Sequence, residues 1–253
     1  GVKRLRSNYA RVKPELTESD LEDLTRSGMR SYLRYWIDTF RLNKWSKEFI
    51  IQNTTVQNEH LLRDPIKDKQ GCLVVLPHAG NWDHAGSYFC AKGFPLLTVA
   101  ERLKPEALFN KFLEYRQNIG MEVLALDSRS IVTLLKRARE GALIALVSDR
   151  DLSKSGVDVS FFGHPARMPA GPAVLAVRTG IPLITAHVSY TATGIHIEFN
   201  SVEIPAHGSE SEKISIVVQK CADLFAQGIG SAPQDWHMLQ RIWIDGDFQE
   251  RSA

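Results

Sequence analysis

Residues 72–83 read Cys72-Leu-Val-Val-Leu-Pro-His-Ala-Gly-Asn-Trp-Asp83 and carry the strongest structural signal in the chain. The run Cys72–Pro77 is apolar without polar alternation, which is typical of a strand buried on both faces of a parallel sheet. Gly80 favours a tight turn after this strand, and an amphipathic stretch follows it. The segment therefore predicts a strand–turn–helix unit in which His78 follows the strand and Asp83 lies in the first turn of the helix.

The same alternation of apolar runs and amphipathic stretches continues along the chain. Further strands are predicted at 95–100, 121–126, 143–148 and 182–190, with a half-exposed strand at 195–204. Helices are predicted at 17–40, 83–92, 105–119, 130–140, 170–179 and 211–227. This order favours an α/β fold with a twisted, mostly parallel central sheet flanked by helices. The chain shows no repeat or linker, so we expect a single domain over residues 1–253, with a helical segment of about 17–45 packed on it.

Two groups of side chains are predicted to be buried. The aromatic residues of the first predicted helix are expected to pack in the core, namely Tyr32, Tyr35, Trp36 and Phe40. The cysteines lie among apolar neighbours and form no C-x-x-C pair, namely Cys72, Cys90 and Cys221. Such a pattern indicates free, buried thiols in a reducing compartment.

The charge of the chain is informative in its distribution. The chain has 253 residues and a net charge of +2, so its total charge does not call for a nucleic-acid partner. The first thirteen residues nevertheless contain five basic residues and no acidic one: Lys3, Arg4, Arg6, Arg11 and Lys13. This segment is a candidate for contact with an anionic membrane surface, and the alternative is a solvated leader. The chain begins at Gly1 and not at Met, so we expect a truncated native N-terminus, and whether a membrane anchor lies upstream stays open.

Polar residues follow several predicted strands at the point where each strand ends. His78 and Asp83 follow the strand at 72–77, and Glu101 and Arg102 follow the strand at 95–100. Asp127 and then the run 149–151, Asp-Arg-Asp, follow the next two strands in the chain. Because open parallel sheets bind ligands at the carboxyl ends of their strands, these residues predict an active site there.

The spacing of His78 and Asp83 suits a general base. A carboxylate in the first turn of the helix would bond one imidazole nitrogen and leave the other nitrogen free as a base. The alternative is that Asn81 or Asp83 only caps the helix. A metal site that includes His84 is not expected, because adjacent residues diverge on a helix. The sequence also lacks a G-x-S-x-G elbow and a Gly-rich phosphate loop, so direct transfer to an acceptor hydroxyl fits best.

Several motifs resemble one family of enzymes. The run from His78 to Asp83 resembles the H-x4-D block of glycerolipid and lipid A acyltransferases, and residues 149–172 are similar to their block around F-F-G. The segments 99–105, 114–117 and 235–239 look like the branch of phosphatidylinositol mannoside acyltransferases of actinobacteria. The likeness covers nearly the whole chain from about residue 20.

This resemblance implies a glycerolipid-acyltransferase-like fold and a specific reaction. A palmitoyl-type chain would move from acyl-CoA to the 6-hydroxyl of a mannose in phosphatidylinositol mannosides. The enzyme would act as a peripheral protein at the cytoplasmic face of the cell membrane, with acyl-CoA as co-substrate and no further cofactor. We also expect a monomer.

The resemblance also implies roles for single residues. His78 would be the base, Asp83 its orienting partner, and Asp149 the acidic residue that completes a charge relay, one methylene shorter than the glutamate of the E-R-D-L block. Glu101 and Arg116 match positions that shape the acceptor and donor pocket.

Four further residues are candidates for substrate binding. Ser155 and the region around Arg178 match positions near the acyl-CoA, although Arg178 stands where an acidic residue is expected. Arg102 and Arg150 suit bidentate contacts to phosphates of the donor or acceptor, or else pair with acidic neighbours.

Alternatives to these roles stay open at the level of sequence. Arg116 could pair with Glu114 or Glu122 on a solvated helix face, and Asp149 could pair with Arg102 or Arg150 and only brace its loop. The same His–Asp pair could activate water in an acyl-CoA thioesterase. It could also serve transfer to another glycolipid acceptor, whereas a non-catalytic lipid-binding relative would be expected to lack the pair.

Overall fold

The computed structural model describes residues 1–100, 105–126, 130–151 and 153–246. The α-helices in this part of the chain are α1 (Val2–Val12), α2 (Glu18–Leu42), α3 (Lys47–Gln52), α4 (His60–Lys67), α5 (Trp82–Ala91), α6 (Glu106–Asn118), α7 (Ser130–Arg139), α8 (Gly171–Thr179) and α9 (Glu210–Ser231). The strands are β1 (Thr54–Gln57), β2 (Cys72–Leu76), β3 (Leu96–Ala100), β4 (Met121–Ala125), β5 (Leu143–Val147), β6 (Val157–Phe161), β7 (His164–Met168), β8 (Leu183–Tyr190) and β9 (Ile195–Val202).

Within the described residues, seven strands form one sheet in the order β1-β9-β8-β2-β5-β3-β4. Only β8 and β9 pair antiparallel in this sheet, and the other neighbouring strands are parallel. Strands β6 and β7 form a separate antiparallel hairpin. The predicted α/β class with a mostly parallel central sheet flanked by helices is confirmed.

The sheet is covered by helices on both faces. All five residues of β2 are buried, and because successive strand side chains point to opposite faces, Leu73 and Val75 face one cluster and Val74 and Leu76 the other. The first cluster includes side chains of α1, α7, α8 and α9, and the second includes side chains of α3, α4 and α5. Each large aliphatic side chain buried in this way contributes roughly 1.5–3 kcal/mol relative to exposure.

Side-chain caps fix where several of the helices begin, among them α2, α5 and α9. The Thr17 hydroxyl accepts a hydrogen bond from the backbone N–H of Asp20 at the start of α2. Ser209 and Glu212 form a capping box at the start of α9. Asn81 caps α5 by accepting from the backbone N–H of His84 at 2.9 Å. The N-cap of α5 is therefore Asn81 and not Asp83, so the Asp83 carboxylate is available for other contacts.

The basic segment at the start of the chain is a packed helix in the structure. Leu5 and Tyr9 of α1 are fully buried, so the segment is not a solvated leader. Three of its cations have acidic partners: Arg6 pairs with Glu18, Arg11 with Asp245 at 2.9 Å, and Lys13 with Glu15 at 3.9 Å. These pairs reduce the free positive charge that the sequence offers to an anionic membrane.

The predicted core role of the α2 aromatic residues is only partly right. Tyr35 is buried, whereas Phe40 is 64% exposed and lies on the same helix face as Leu33 and Ile37, each 55% exposed. These residues are spaced four and three positions apart, so they form a continuous apolar stripe on one side of the helix. The prediction for Phe40 is therefore wrong, because α2 turns one apolar stripe to the core and another to the solvent.

The sequence reading missed several short elements, namely α1, α3, α4, β1 and the hairpin of β6 and β7. The Phe161–Gly163 run forms the turn of that hairpin, where Phe162 and Gly163 have φ angles of 50° and 74°. Phe161 itself is fully buried and packs in the core. Among the described residues, none of the helices is both long and apolar enough to span a lipid bilayer.

Candidate active site

His78 and Asp149 follow two neighbouring strands at equivalent positions of the sheet register. Strands β2 and β5 pair in parallel with Leu76 opposite Val147. Each of these residues is followed two positions later by one of the two polar side chains. The register therefore places the imidazole and the carboxylate side by side at the carboxyl edge of the sheet, where such sheets bind ligands.

The Asp149 carboxylate holds both the ring and the backbone of His78. Its Oδ1 atom lies 2.6 Å from the ring Nδ1 of His78, and its Oδ2 atom accepts the His78 backbone N–H at 3.0 Å. The indole N–H of Trp236 also donates to Oδ2, at 2.9 Å. Asp149 is 0% exposed, whereas 36% of the His78 side chain is exposed. The carboxylate is thus a rigid buried anchor, and the ring faces the solvent side of the site.

The electrostatics of this pair favour one tautomer of His78. Burial by itself would raise the pKa of Asp149, but attraction to His78 and hydrogen bonds from His78 and Trp236 lower this pKa, and the lowering prevails. An ionised carboxylate accepts hydrogen bonds only, so the proton of a neutral His78 ring lies on Nδ1. The lone pair then lies on Nε2, which is the arrangement of a general base.

A segment near the end of the chain docks on the loop that carries His78. The backbone N–H of His237 donates to the His78 carbonyl at 2.8 Å, and the backbone N–H of Gly80 donates to the Asp235 carbonyl at 2.8 Å. The Asp235 side chain is held in turn by the Ser31 hydroxyl at 2.7 Å. The residues on either side of Trp236 therefore fix the backbone of the loop that carries His78, while the Trp236 indole holds Asp149.

Gly80 is required by the close approach of this loop to strand β8. Its φ angle is +58°, and a Cβ atom at this position would lie 2.5 Å from the Val188 carbonyl oxygen. A larger residue would push the loop away from the sheet and move His78 with it.

Asp83 has a different role from the one that the sequence predicts. Arg116 donates from Nε to Oδ1 of Asp83 at 2.8 Å, and the Tyr35 hydroxyl donates to Oδ2 at 3.0 Å. Asp83 is 1% exposed, and a buried carboxylate needs a counter-charge, which Arg116 supplies. The carboxylate that bonds the His78 ring is Asp149, so the predicted orientation of the base by Asp83 is corrected.

The Asp83–Arg116 pair also answers the question left open for Arg116. The charge of Asp83 raises the pKa of Arg116 against the opposing effect of burial. Glu122, one of its expected partners on a solvated face, instead pairs with Arg137 at 2.8 Å. Arg116 is therefore part of the buried site wall.

A largely apolar pocket adjoins the site on the α5 face of the sheet. It encloses about 650 Å³ between its wall atoms, part of it open to solvent. Its polar wall residues include Asp83 and Arg116. Its apolar walls include Leu62, Val74, Leu76, Phe89, Leu96, Met121, Val147, Val188 and Phe199. Trp82 also lines the pocket, and its ring centroid lies 5.6 Å from that of His78, so the pocket begins beside the base.

The remaining predicted site residues have different outcomes. Glu101 and Arg102 lie outside the described residues. Arg150 directly follows Asp149 and is partly buried, and the Ser155 hydroxyl lies 2.8 Å from that of Ser153 in the loop that follows.

Arg178 does not belong to this site. It lies in the last turn of α8, and the chain then enters the amino end of β8. Since β8 is parallel to β2, this is the edge of the sheet opposite to His78. Arg178 instead forms an ion pair with Glu210 at 2.7 Å. The predicted contact of Arg178 with the donor is therefore wrong.

The structure offers no cluster of ligands for a metal ion in the part of the chain that it describes. His84, which follows Asp83 directly, has its Nε2 atom 3.2 Å from the Thr54 hydroxyl. Burial lowers the pKa of His84 to about 4. His84 therefore packs as a neutral core histidine.

A histidine held by a buried carboxylate at the end of a parallel strand, next to an apolar pocket, fits an enzyme of the glycerolipid-acyltransferase type. The chain matches the family model described as "Bacterial lipid A biosynthesis acyltransferase" over residues 1–244, and it belongs to that family. The predicted resemblance is confirmed, and the chain is an acyltransferase.

Two relatives are similar over the whole chain. A protein of Mycolicibacterium smegmatis named "Phosphatidylinositol mannoside acyltransferase" is 38% identical over 256 residues, which cover 100% of this chain and 83% of the relative. A protein of the same name from Mycobacterium tuberculosis strain CDC 1551 is 36% identical over 258 residues, covering 100% of this chain and 80% of the relative.

Sequence reasoning missed the contributions of Trp236 and Tyr35. Trp236 lies in a motif that carries the family resemblance, yet nothing in its spacing links an indole to Asp149. Tyr35 is part of an apolar helical stripe, and its hydroxyl partner becomes visible only once α2 and α5 are packed together.

Proposed function

We propose that this acyltransferase moves a palmitoyl-type chain from acyl-CoA to the 6-hydroxyl of a mannose in phosphatidylinositol mannosides. The observation that carries the proposal is the position of His78, oriented by Asp149, beside an apolar pocket of about 650 Å³. The names of the two relatives support this acceptor class. The acyl-CoA donor and the hydroxyl position follow from the resemblance of the motifs.

The geometry suggests how the transfer proceeds. Nε2 of His78 takes the proton of the acceptor hydroxyl while the hydroxyl oxygen attacks the thioester carbonyl carbon. The bond from this carbon to sulfur then breaks, and the imidazolium returns the proton to the leaving thiolate. The carboxylate of Asp149 stabilises the imidazolium between these two steps, because it is fully buried and lies 2.6 Å from the ring.

The first experiment measures acyl-CoA consumption with and without a phosphatidylinositol mannoside, and locates the new ester on the sugar by NMR. We expect consumption to depend on the acceptor and the ester to form at the 6-hydroxyl. His78→Ala should lower kcat by ~10²–10⁴-fold, and His207→Ala, a change at an exposed loop residue, should leave it unchanged. Equal consumption without acceptor would indicate a thioesterase, and an ester on another glycolipid alone would exclude the proposed acceptor.

The apolar pocket is proposed to hold the acyl chain, and Gly86 offers a direct test. Gly86 lines the pocket, and a Cβ atom there would lie 2.3 Å from the methyl group of Met121. Gly86→Val should displace about two methylenes of a bound chain, worth about 1.6 kcal/mol or roughly a 15-fold loss of kcat/KM for palmitoyl relative to shorter donors. The matched control is Gly230→Val in α9, since Gly230 has open space around its Cα. An unchanged chain-length preference in Gly86→Val would exclude this pocket as the acyl site.

Substrate contacts by four other residues also stay proposals. Arg150 and Ser155 lie on the segment after β5, which begins at the base. Glu101 and Arg102 are proposed from the motif resemblance. We expect that Arg150→Gln raises KM for acyl-CoA more than it lowers kcat, because a phosphate contact far from the reacting atoms supports binding of substrate and transition state alike.

We also propose that the enzyme works as a monomer at the cytoplasmic face of the membrane, with the exposed stripe of α2 in contact with lipid. Trp36 stacks on Phe40 at 5.9 Å and contacts Phe112 of α6, the helix that carries Arg116. The stripe therefore lies next to the site wall. Phe40→Ser should weaken binding to anionic vesicles, and the control Ile216→Ser, at an exposed residue of α9, should not. Equal vesicle binding by both variants would exclude a lipid contact of the stripe. The monomeric state is tested separately by light scattering of the purified protein.

A further inference from the structure

A second cavity lies between the β8–β9 pair and helix α9. It encloses about 420 Å³ between its wall atoms, part of it open to solvent. Thr185 and His187 of β8 line this cavity, whereas Val188 lines the acyl pocket. Because successive residues of a strand point to opposite faces, the cavity lies on the other face of the sheet from the acyl pocket.

His187 is the feature of this cavity that calls for a ligand. The residue is 8% exposed, and neither ring nitrogen has a hydrogen-bond partner among the described residues. Buried polar groups of this kind are rare in native structures, because an unpaired donor or acceptor is costly. Helix α9 approaches the ring through Gly228, where a Cβ atom would lie 2.5 Å from the ring Cγ of His187. The helix thus leaves room for the ring without offering it a partner.

The polar groups around His187 form a mixed set of donors and acceptors. Glu198 lies directly opposite His187 on β9 and supplies a carboxylate, and Asn200 and Gln227 supply amides. Thr185 and Ser231 supply hydroxyls at the walls. Among the described residues that line the cavity there is no lysine or arginine, so its only formal charge is the negative charge of Glu198.

We propose that this cavity binds a neutral polyol of the size of one sugar or cyclitol ring. Hydroxyl groups both donate and accept, so they satisfy a neutral imidazole, amides and a carboxylate at the same time. Glu198 would repel a phosphate. Leu224 and Phe225 add apolar wall that suits the C–H face of a ring. Burial, with a smaller effect of His196, lowers the pKa of His187 to about 4, so the imidazole is neutral at physiological pH.

The experiment follows the ring nitrogens of His187 by NMR in protein labelled with ¹⁵N-histidine. The His187 signals are assigned by their loss in His187→Phe, and the probes are methyl α-mannoside and myo-inositol. We expect saturable shifts of the His187 signals with at least one of the two polyols. The measurement is made in the His78→Ala background, so its result does not depend on acyl transfer.

Variants show whether the shifts report this cavity. Because His187→Phe has no His187 signal, binding to the variants is measured from the polyol signals by saturation-transfer NMR. Binding should be lost in His187→Phe and weakened about tenfold in Glu198→Gln, since hydrogen bonds to charged groups are the stronger ones. The control His207→Phe should bind as before. Unmoved His187 signals with both polyols, or binding that survives His187→Phe, would overturn the proposal. Shifts caused only by tetramethylammonium or inorganic phosphate would overturn it as well.

Discussion

Replacing Asp149 by asparagine should remove the base without removing the fold. Two donors, the His78 backbone N–H and the Trp236 indole N–H, point at Oδ2 of Asp149, and the ring Nδ1 of His78 faces Oδ1. The amide oxygen of an asparagine would take the place of Oδ2, because its NH₂ group has no acceptor there. The NH₂ group would then face Nδ1 and draw the ring into the tautomer with its proton on Nε2, which has no lone pair for the acceptor hydroxyl.

The magnitude follows from the alternative orientation of that amide. Rotating the asparagine amide by 180° would restore the His78 tautomer with its proton on Nδ1. It would also place the NH₂ group against two N–H donors, so the hydrogen bonds from the His78 backbone and the Trp236 indole would be lost. At about 1–3 kcal/mol for each lost partner, the productive orientation is disfavoured by about 2–6 kcal/mol. This corresponds to a loss of kcat between roughly 30-fold and 10⁴-fold, since 1.4 kcal/mol is a factor of ten.

Asp83→Asn is the matched comparison, because it is the same chemical change in the carboxylate that the sequence favours. This substitution leaves Arg116 buried without its counter-charge, which typically costs about 3–5 kcal/mol of stability. We expect a clearly lower Tm for Asp83→Asn. The pH at which kcat/KM falls on the acid side should be the same in this variant as in the wild type.

The assay measures kcat, KM and Tm of both variants across pH. If Asp83→Asn shifted the pH at which kcat/KM falls on the acid side, while Asp149→Asn kept wild-type kcat, the assignment of Asp149 as the partner of His78 would be refuted.

Three further predictions address other parts of the molecule. Trp236→Phe removes one of the hydrogen bonds to Asp149, so kcat should fall about tenfold; an unchanged kcat in folded protein would contradict this role. Vesicle binding should weaken in the double variant of Ile37 and Phe40 to serine and depend little on salt, because an apolar contact is not screened; steep salt dependence in sedimentation assays would point to the cations instead. Burial, and to a smaller extent the charge of His78, lowers the pKa of His237 to about 3. A lowered histidine pKa contributes stability that is complete above about pH 6.5 and is lost as pH falls, by about 3 kcal/mol at pH 4. Denaturant unfolding of His237→Gln should therefore depend less on pH between these values than unfolding of the wild type, and equal slopes would exclude this contribution.

The sequence predicts the strands that carry the site better than it predicts their neighbours. Hydrophobic periodicity identifies β2 and β5. Because the carboxyl ends of parallel strands meet at one edge of the sheet, His78 and Asp149 are predicted to lie at that edge. The sequence does not say that β2 lies next to β5, because strand order depends on packing between distant segments. The sequence therefore favours Asp83, five positions after His78, over Asp149. Asp149 is 71 positions from His78 in the chain, yet the register of the sheet places the two side by side.

A similar limit applies to the surface. An apolar stripe on a helix looks the same in a sequence whether it packs in a core or faces lipid. On α2 both kinds occur side by side, since Tyr35 is buried and Phe40 is exposed. The difference depends on which neighbours cover the helix, and these lie far away in the chain.

The contacts of Asp83 and Asp149 explain why the site has two buried carboxylates and a single free base nitrogen. A second carboxylate at Nε2 of His78 would accept a hydrogen bond from that nitrogen and so keep a proton where the acceptor hydroxyl needs a lone pair. Asp83 is close enough in the chain to compete for the ring, but Arg116 and Tyr35 bind both of its oxygens. The ion pair therefore stabilises the wall of the acyl pocket and also keeps Asp83 away from the ring. Asp149, held by Trp236 and by the His78 backbone, is left as the partner that fixes the tautomer, so the base depends on the separation of the two carboxylates as much as on either one.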